Sequence, residues 1–389
     1  MKCPRACIIV GVAVACLAQG CRERRSRLPE HLPTVDIGPD IRTHPREPIT
    51  VAGRVLRPTD RPGPSRWTFQ WGDRAVDSGG LGADGAITGT HRYGRSGRYV
   101  ARVSLRGGDP SLDTASDTLT VTVEPRGTSE VFVGAGDIGE CDHPDAAATA
   151  RLLDSIPGTV FAAGDNAYPT GSAADYARCF GPTWGRDRKR THPVPGNHDY
   201  WFGDSSGYFG YFGVAAGAPD RGYYSFELGA WHIVALNSNI AMRPGSAQEQ
   251  WLRSDLAAHP GQCTLAYWHH PRFSSGITHG SDLETQPLWQ ALYEAGAAVA
   301  ISGHEHNYER FAPQTPAGLL DTIRGIREFV VGTGGGGAYR FGPSIANSEA
   351  RSTAHGVLAL TLSESSYAWR FVPVPGEAFR DSGTAACKR

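Results

Sequence analysis

Five short words in this chain hold the residue types best suited to binding metal ions. They are Gly136-Asp137-Ile138-Gly139, Gly164-Asp165-Asn166-Ala167-Tyr168, Gly196-Asn197-His198-Asp199, His269-His270-Pro271 and Gly303-His304-Glu305-His306. Hard carboxylate oxygen with imidazole nitrogen suits zinc, iron or manganese, and the absence of cysteine from the set argues against a soft thiolate site. A bridging carboxylate is what two ions held about 3.5–4 Å apart require. His304 and His306 alternate, so an extended segment presents both on one face, where they can serve neighbouring ions. Any one of these residues has ordinary structural uses, but five coincident words point to a two-metal site.

The elements that must position them follow from what precedes each word. Apolar runs at 131–133, 159–162, 192–195, 264–268 and 297–301 read as strands, each ending in one of the words. Residues 146–155, 249–258 and 288–295 carry apolar residues at helical spacing. Strands alternating with helices predict an α/β fold, whose sites form where strand C-termini open into loops. Glycine stands ahead of four of the five words, allowing a sharp turn and close approach to a ligand.

Together the five words resemble the calcineurin-like metallophosphoesterase superfamily. Gly164-Asp165-x-x-Tyr168 is similar specifically to purple acid phosphatases, which use that tyrosine as an iron(III) ligand. The resemblance covers about residues 128–375 and implies two facing mixed sheets flanked by helices, with metals at one edge. By position it implies Fe(III) at Asp137, Asp165, Tyr168 and His306. It implies zinc, manganese or iron(II) at Asn197, His269 and His304, with Asp165 bridging. His198 is implied as an outer-sphere residue that contacts phosphate and assists the leaving group, with metal-bound hydroxide as nucleophile. Independent chemistry agrees, because phosphoryl transfer needs donors where charge builds up and a proton for the leaving alkoxide.

Some positions depart from the family pattern. Ala266 replaces the usual valine, and His279-Gly280 stands where plant members carry two adjacent histidines. His279 is a candidate for phosphate contact or proton donation, against a purely structural reading, and His270 is read as orienting its turn rather than binding metal. The glycine run 332–337 is read as a loop near the site rim, since a turn rather than a long helix follows it. The basic run 186–190 is read as a solvated face, with local attraction of anionic substrates as the alternative. The expected activity is phosphomonoester hydrolysis on a phosphorylated small molecule. The alternatives are phosphodiester or nucleotide hydrolysis, or a non-catalytic surface protein acting through its N-terminal module.

That module spans residues 46–125. Short β-branched and aromatic runs at 49–52, 67–71, 99–103 and 119–123 are separated by Gly, Pro and Asp, the pattern of a small sandwich. Trp71-Gly72-Asp73, His91-Arg92-Tyr93 and Gly97-Arg98-Tyr99-Val100 resemble a PKD (immunoglobulin-like) domain. Residues 1–20 read as a signal peptide, with Lys2 and Arg5 ahead of a short apolar run. Ala18-Gln19-Gly20-Cys21 resembles a bacterial lipobox, placing a lipid on Cys21 and the protein in the cell envelope. Plain cleavage and secretion is the alternative. Residues 21–45 read as a flexible tether, and 376–389 as a tail that a disulfide ties down. Cys141, Cys179, Cys263 and Cys387 remain after removal of the signal and acylation of Cys21, and the favoured pairing is Cys141–Cys179 and Cys263–Cys387. With 38 Lys+Arg against 39 Asp+Glu, net charge supplies no global attraction to nucleic acid or an anionic bilayer.

Overall fold

A computed structural model describes residues 34–56, 66–81, 84–106, 115–124, 129–201, 203 and 205–387. The signal segment, Cys21 and the first part of the tether lie outside these residues.

The N-terminal module is two sheets around one core. Strands β1 (Thr34–Asp36), β3 (Pro48–Leu56) and β6 (Ala86–Arg92) form a three-stranded sheet in the order β1-β3-β6. Strands β2 (Ile41–Thr43), β4 (Arg66–Gln70), β5 (Val76–Gly80), β7 (Gly97–Arg106) and β8 (Ser116–Val123) form the second, in the order β2-β8-β7-β4-β5. Alternate residues such as Val51, Phe69, Ile87, Val103 and Val121 meet between the sheets. Trp71 stacks on Phe69 at 5.0 Å and on His91 at 5.0 Å, while His91 Nε2 lies 2.7 Å from Asp73 Oδ2. The Trp-Gly-Asp and His-Arg-Tyr words therefore pack against each other. Residues 34–36 and 41–43, read above as tether, are strands paired to β3 and β8. At three residues each they are too short for a periodicity to show, and their order comes from the partner strands.

The second region is a two-sheet sandwich. One sheet holds β9 (Glu130–Ala135), β10 (Thr159–Ala163), β11 (Thr191–Val194), β19 (Gly356–Leu362), β20 (Ser366–Pro373) and β21 (Ser382–Ala386), ordered β11-β10-β9-β19-β20-β21. The other holds β12 (Tyr224–Leu228), β13 (Trp231–Ala235), β14 (Cys263–Tyr267), β15 (Val299–Ser302), β16 (Tyr308–Phe311), β17 (Arg327–Val331) and β18 (Ser348–Ser352), ordered β12-β13-β14-β15-β17-β16-β18. Adjacent residues on the second sheet go opposite ways. Ile233, Leu265, Ile301 and Phe329 join Phe132, Phe161 and Leu360 between the sheets. Val234, Ala266, Ala300 and Val330 instead meet Leu252, Leu256, Trp289 and Leu292 of the helices Ala247–Ala258 and Gln286–Glu294. With both faces covered, the parallel strands are mostly apolar on both sides, which is why they read as short apolar runs.

Two disulfides, Cys141–Cys179 and Cys263–Cys387, close the expected pairs. The second brings the C-terminal tail, which supplies β21, back to the start of β14. The basic run 186–190 is a docking strip: Arg188 reaches Asp36 at 3.3 Å and Lys189 reaches Asp117 at 3.1 Å, both on the N-terminal module. Arg186 and Arg190 pair with Asp154 and Asp187. No helix among the described residues is long and apolar enough to cross a membrane.

Candidate metal centre

Parallel β9, β10 and β11 deliver the first three words at one edge of their sheet, and β14 and β15 deliver the other two from the facing sheet. Asp137, Asp165 and His304 adopt left-handed backbone at φ 59°, 49° and 68°. Such conformations cost roughly 1–3 kcal/mol each in non-glycine residues and persist where the surroundings over-determine them. Here the words hold one another. The His198 N–H donates to Asp165 Oδ1 at 2.8 Å, and the His304 N–H donates to Asp137 Oδ2 at 2.8 Å. Each carboxylate thus has one oxygen tied to backbone and the other free to face inward. A side chain at Gly164 would collide with the His269 ring, and one at Gly196 with the Asp165 carboxylate.

The inward atoms fall into two groups. Tyr168 Oη lies 3.1 Å from Asp137 Oδ1, 3.1 Å from Asp165 Oδ2 and 3.0 Å from His306 Nε2. His269 Nε2 lies 3.1 Å from Asn197 Oδ1, 3.2 Å from His304 Nδ1 and 3.4 Å from Asp165 Oδ2. One oxygen, Asp165 Oδ2, belongs to both groups. His269 Nδ1 donates to the Ala163 carbonyl at 2.9 Å and His306 Nδ1 to the Gly337 carbonyl at 2.8 Å. Those bonds fix the ring orientations and turn both Nε2 atoms toward the cluster. All seven residues proposed as ligands are therefore brought together. His304 and His306 do not share a strand face, however. They lie in a bend between β15 and β16, and the left-handed turn at His304 aims their rings at different groups.

Burial pushes the Asp165 carboxyl up, but the positive charge and hydrogen bond of His269, with His198 beside it, outweigh that and hold it below the usual carboxylate range. His269 shows the reciprocal balance: burial lowers it, while Asp165 and Asp137 raise it to about 9. Tyr168 is held protonated by burial and by the same two carboxylates. Among the described residues, the ion-pair partners of Asp137 and Asp165 are histidines. Two buried carboxylates, three imidazoles, an amide oxygen and a phenol, all converging without Lys or Arg, form a donor set that fits two hard-to-borderline cations.

Around this set, His198 Nδ1 donates to the Pro169 carbonyl at 2.6 Å, and its ring packs between Tyr168 at 4.5 Å and Trp201 at 4.9 Å. Its Nε2 faces the cluster, 3.9 Å from Asp165 Oδ2. His198, Tyr168 and His306 line an open cleft of about 400 Å³, with Arg178, Glu140 and Tyr339 at its rim. His279 is exposed and stacks on His304 at 3.9 Å. His270 Nδ1 pairs with Ser238 Oγ at 2.7 Å, fastening the turn after β14.

Sequence reasoning assigned no role to three further residues. Asp199 accepts from the Gly196 N–H at 2.9 Å, the Asn166 amide at 2.9 Å and Tyr176 Oη at 2.6 Å, clamping the loops of β10 and β11 together. Burial, with the nearby Asp165 charge, raises its carboxyl to about 6 despite those bonds. Glu305 accepts the backbone N–H groups of His279 and Gly280 at 2.7 and 2.6 Å, fixing that loop over His304. Tyr339 lies flat on His306 at 3.9 Å. Asp199 and Glu305 sit inside the diagnostic words, and Tyr339 lies two residues after the glycine run, so adjacency was the available signal.

Residues 131–308 match the family model described as Calcineurin-like phosphoesterase. Purple acid phosphatase 15 of Arabidopsis thaliana is 27% identical over 245 residues, covering 53% of this chain and 46% of that protein. The chain thus spans less than half the length of that relative. In fold, the chain is similar to a purple acid phosphatase from yellow lupin (Lupinus luteus) seeds, with TM-score 0.64 at 17% identity, over 91% of this chain and 74% of the other. PhoD aligns with TM-score 0.54 at 11% identity, over 91% and 90%. Residues 131–308 thus match a calcineurin-like phosphoesterase domain, and purple acid phosphatases are among the proteins the chain is similar to in sequence and fold.

Proposed function

We propose that this protein is an exported dinuclear-metal phosphatase that hydrolyses phosphomonoesters. The observation that carries the reading is the sharing of Asp165 Oδ2 between the two donor groups, 3.1 Å from Tyr168 Oη and 3.4 Å from His269 Nε2. Asp137, Asp165, Tyr168 and His306 would hold Fe(III), because a phenolate with two carboxylates favours a hard trivalent ion. Asn197, His269 and His304, with Asp165 bridging, would hold zinc, manganese or iron(II). When bound, such a pair supplies positive charge against phosphoryl oxygens and lowers the pKa of water.

The chain's own residues do the rest. His198, its Nδ1 fixed on the Pro169 carbonyl, turns Nε2 toward the cluster, where in its imidazolium form it would give a leaving alkoxide its proton. His279 stands over His304 as a phosphate contact or second proton donor. Arg178 at the cleft rim offers charge to an anionic ester. Trp201, 57% exposed and stacked on His198, favours a second reading in which an aromatic or nucleotide leaving group stacks there. The disulfides fit an oxidising compartment. Cys21 as a lipid attachment site would place the protein on a bacterial envelope, with the PKD-like module as spacer.

The test combines metal analysis with rates on p-nitrophenyl phosphate and its bis-ester across pH. Two metals per chain and faster monoester turnover support the proposal, and faster diester turnover favours the second reading. Tyr168→Phe should lose a visible tyrosinate-to-iron band. A colourless, iron-free, fully active wild type overturns the iron assignment while leaving a two-metal hydrolase. Cys21→Ser should release the protein from membranes if the lipid is present.

A further inference from the structure

We propose that Glu227, His232 and His259 form a second zinc(II) site, at the end of the seven-stranded sheet opposite the candidate metal centre. Glu227 and His232 are cross-strand partners on β12 and β13, and His259 follows the helix Ala247–Ala258. His232 Nδ1 lies 2.8 Å from Glu227 Oε1, and His259 Nε2 lies 3.8 Å from the same oxygen. One donor atom from each of the three residues lies within 4.8 Å of the other two. Ligand atoms around a tetrahedral zinc, at about 2.0–2.2 Å from the metal, stand roughly 3.3–3.5 Å apart, so small side-chain adjustments close the site.

The surroundings orient both rings as metal ligation requires. His232 Nε2 lies 2.7 Å from Asp255 Oδ2, whose other oxygen accepts the Ser225 hydroxyl at 2.8 Å. His259 Nδ1 donates to the Asp255 backbone carbonyl at 2.7 Å. One residue, Asp255, therefore takes the distal nitrogen of both imidazoles, a carboxylate–histidine arrangement that turns the proximal nitrogens toward Glu227, where a cation would displace the proton between His232 Nδ1 and Glu227 Oε1. The rings stack at 3.9 Å and 17°, with His259 Nε2 and His232 Nδ1 both turned toward Glu227. A simple ion pair of His232 with its two carboxylates accounts for neither the parallel His259 ring nor its convergence on the same oxygen. Two histidines and one carboxylate leave a fourth position for water. Glu227 is 44% exposed and His259 32%, so an ion can enter, while His232 is buried.

The site is separate from the metal centre. His232 is in register with Thr264, five residues before His269 along β14, or roughly 16 Å of strand. Its occupancy does not depend on what the metal centre catalyses.

The experiment uses the full chain with its catalytic metals loaded, equilibrated in a zinc buffer and assayed by elemental analysis. Wild type should hold one zinc equivalent more than either His259→Ala or Glu227→Gln. Rates on p-nitrophenyl phosphate should be the same in all three, since neither substitution touches the metal centre. Zinc should raise the wild-type melting temperature more than that of Glu227→Gln, an exposed isosteric change that preserves packing. Equal zinc content in wild type and both folded variants overturns the proposal, whatever the phosphatase rates.

Discussion

At the residue scale, the centre depends on side chains whose spare atoms are already committed elsewhere. Asp137 and Asp165 each give one oxygen to a backbone N–H, and His269 and His306 each give Nδ1 to a carbonyl. What remains pointing inward is a small set of oriented donor atoms, so its geometry is set before a ligand arrives. His198 differs, because its ring, held through Nδ1 on the Pro169 carbonyl, turns Nε2 toward the cluster without joining either donor group. His198→Ala should therefore lower kcat by on the order of 10²–10⁴ while metal content stays at the wild-type value. Paired measurements of turnover and bound metal check this, and unchanged turnover removes His198 from the chemistry.

At the element scale, strand ends do the positioning and the far ends of the same strands carry the stability. Cys263 opens β14 at the end remote from His269, and its bond to Cys387 closes a loop 124 residues apart in sequence. Removing a native disulfide typically costs roughly 2–5 kcal/mol. Cys387→Ser should lower the melting temperature accordingly yet leave metal content unaltered; loss of metal in the variant would show that the tail also shapes the site. On the edge strand β11, His192 stacks on Phe226 at 3.9 Å, and burial lowers its pKa to about 3. Its ordinary value is about 6.5, so the unfolded chain takes up a proton that the fold refuses. Stability from this residue is complete above pH 6.5 and is lost progressively as pH falls toward 3. His192→Phe should reduce that loss by about 1 kcal/mol at pH 5, allowing for partial solvent access. Urea midpoints of both proteins at pH 7 and pH 5 make the comparison, and parallel shifts would refute it.

At the scale of the whole molecule, the N-terminal module docks through the strip ahead of β11. Arg188–Asp36 and Lys189–Asp117 are partly exposed pairs, each worth about 1 kcal/mol or less. Arg42 adds a 2.5 Å pair to the buried Glu130 at the start of β9. These contacts sit at the strand ends opposite the centre. Replacing Arg188 and Lys189 together by alanine should loosen the module, seen as a larger radius in solution scattering, without changing turnover of a small ester. A large loss of turnover would mean that the module shapes the cleft after all.

The five words and the strands feeding them were legible because buried parallel strands read as short apolar runs and a metal site demands particular donor atoms. The α/β class, the helices near 146–155, 249–258 and 288–295, and the cysteine pairs followed from pattern and parity. Other features depend on contacts between residues distant in the chain. The three-residue strands β1 and β2 exist only because β3 and β8 offer them hydrogen bonds. The basic run reads as a solvated face until Asp36 and Asp117 are brought opposite it. Asp199 looks like any aspartate beside a ligand until Gly196, Asn166 and Tyr176 converge on it. His304 and His306 do converge with the other donor residues, but a left-handed turn rather than an extended strand aims them. The sequence by itself determined which donor atoms exist and which strands carry them. Only the tertiary structure decided that one oxygen of Asp165 stands between two donor groups, because that depends on two sheets meeting at one edge.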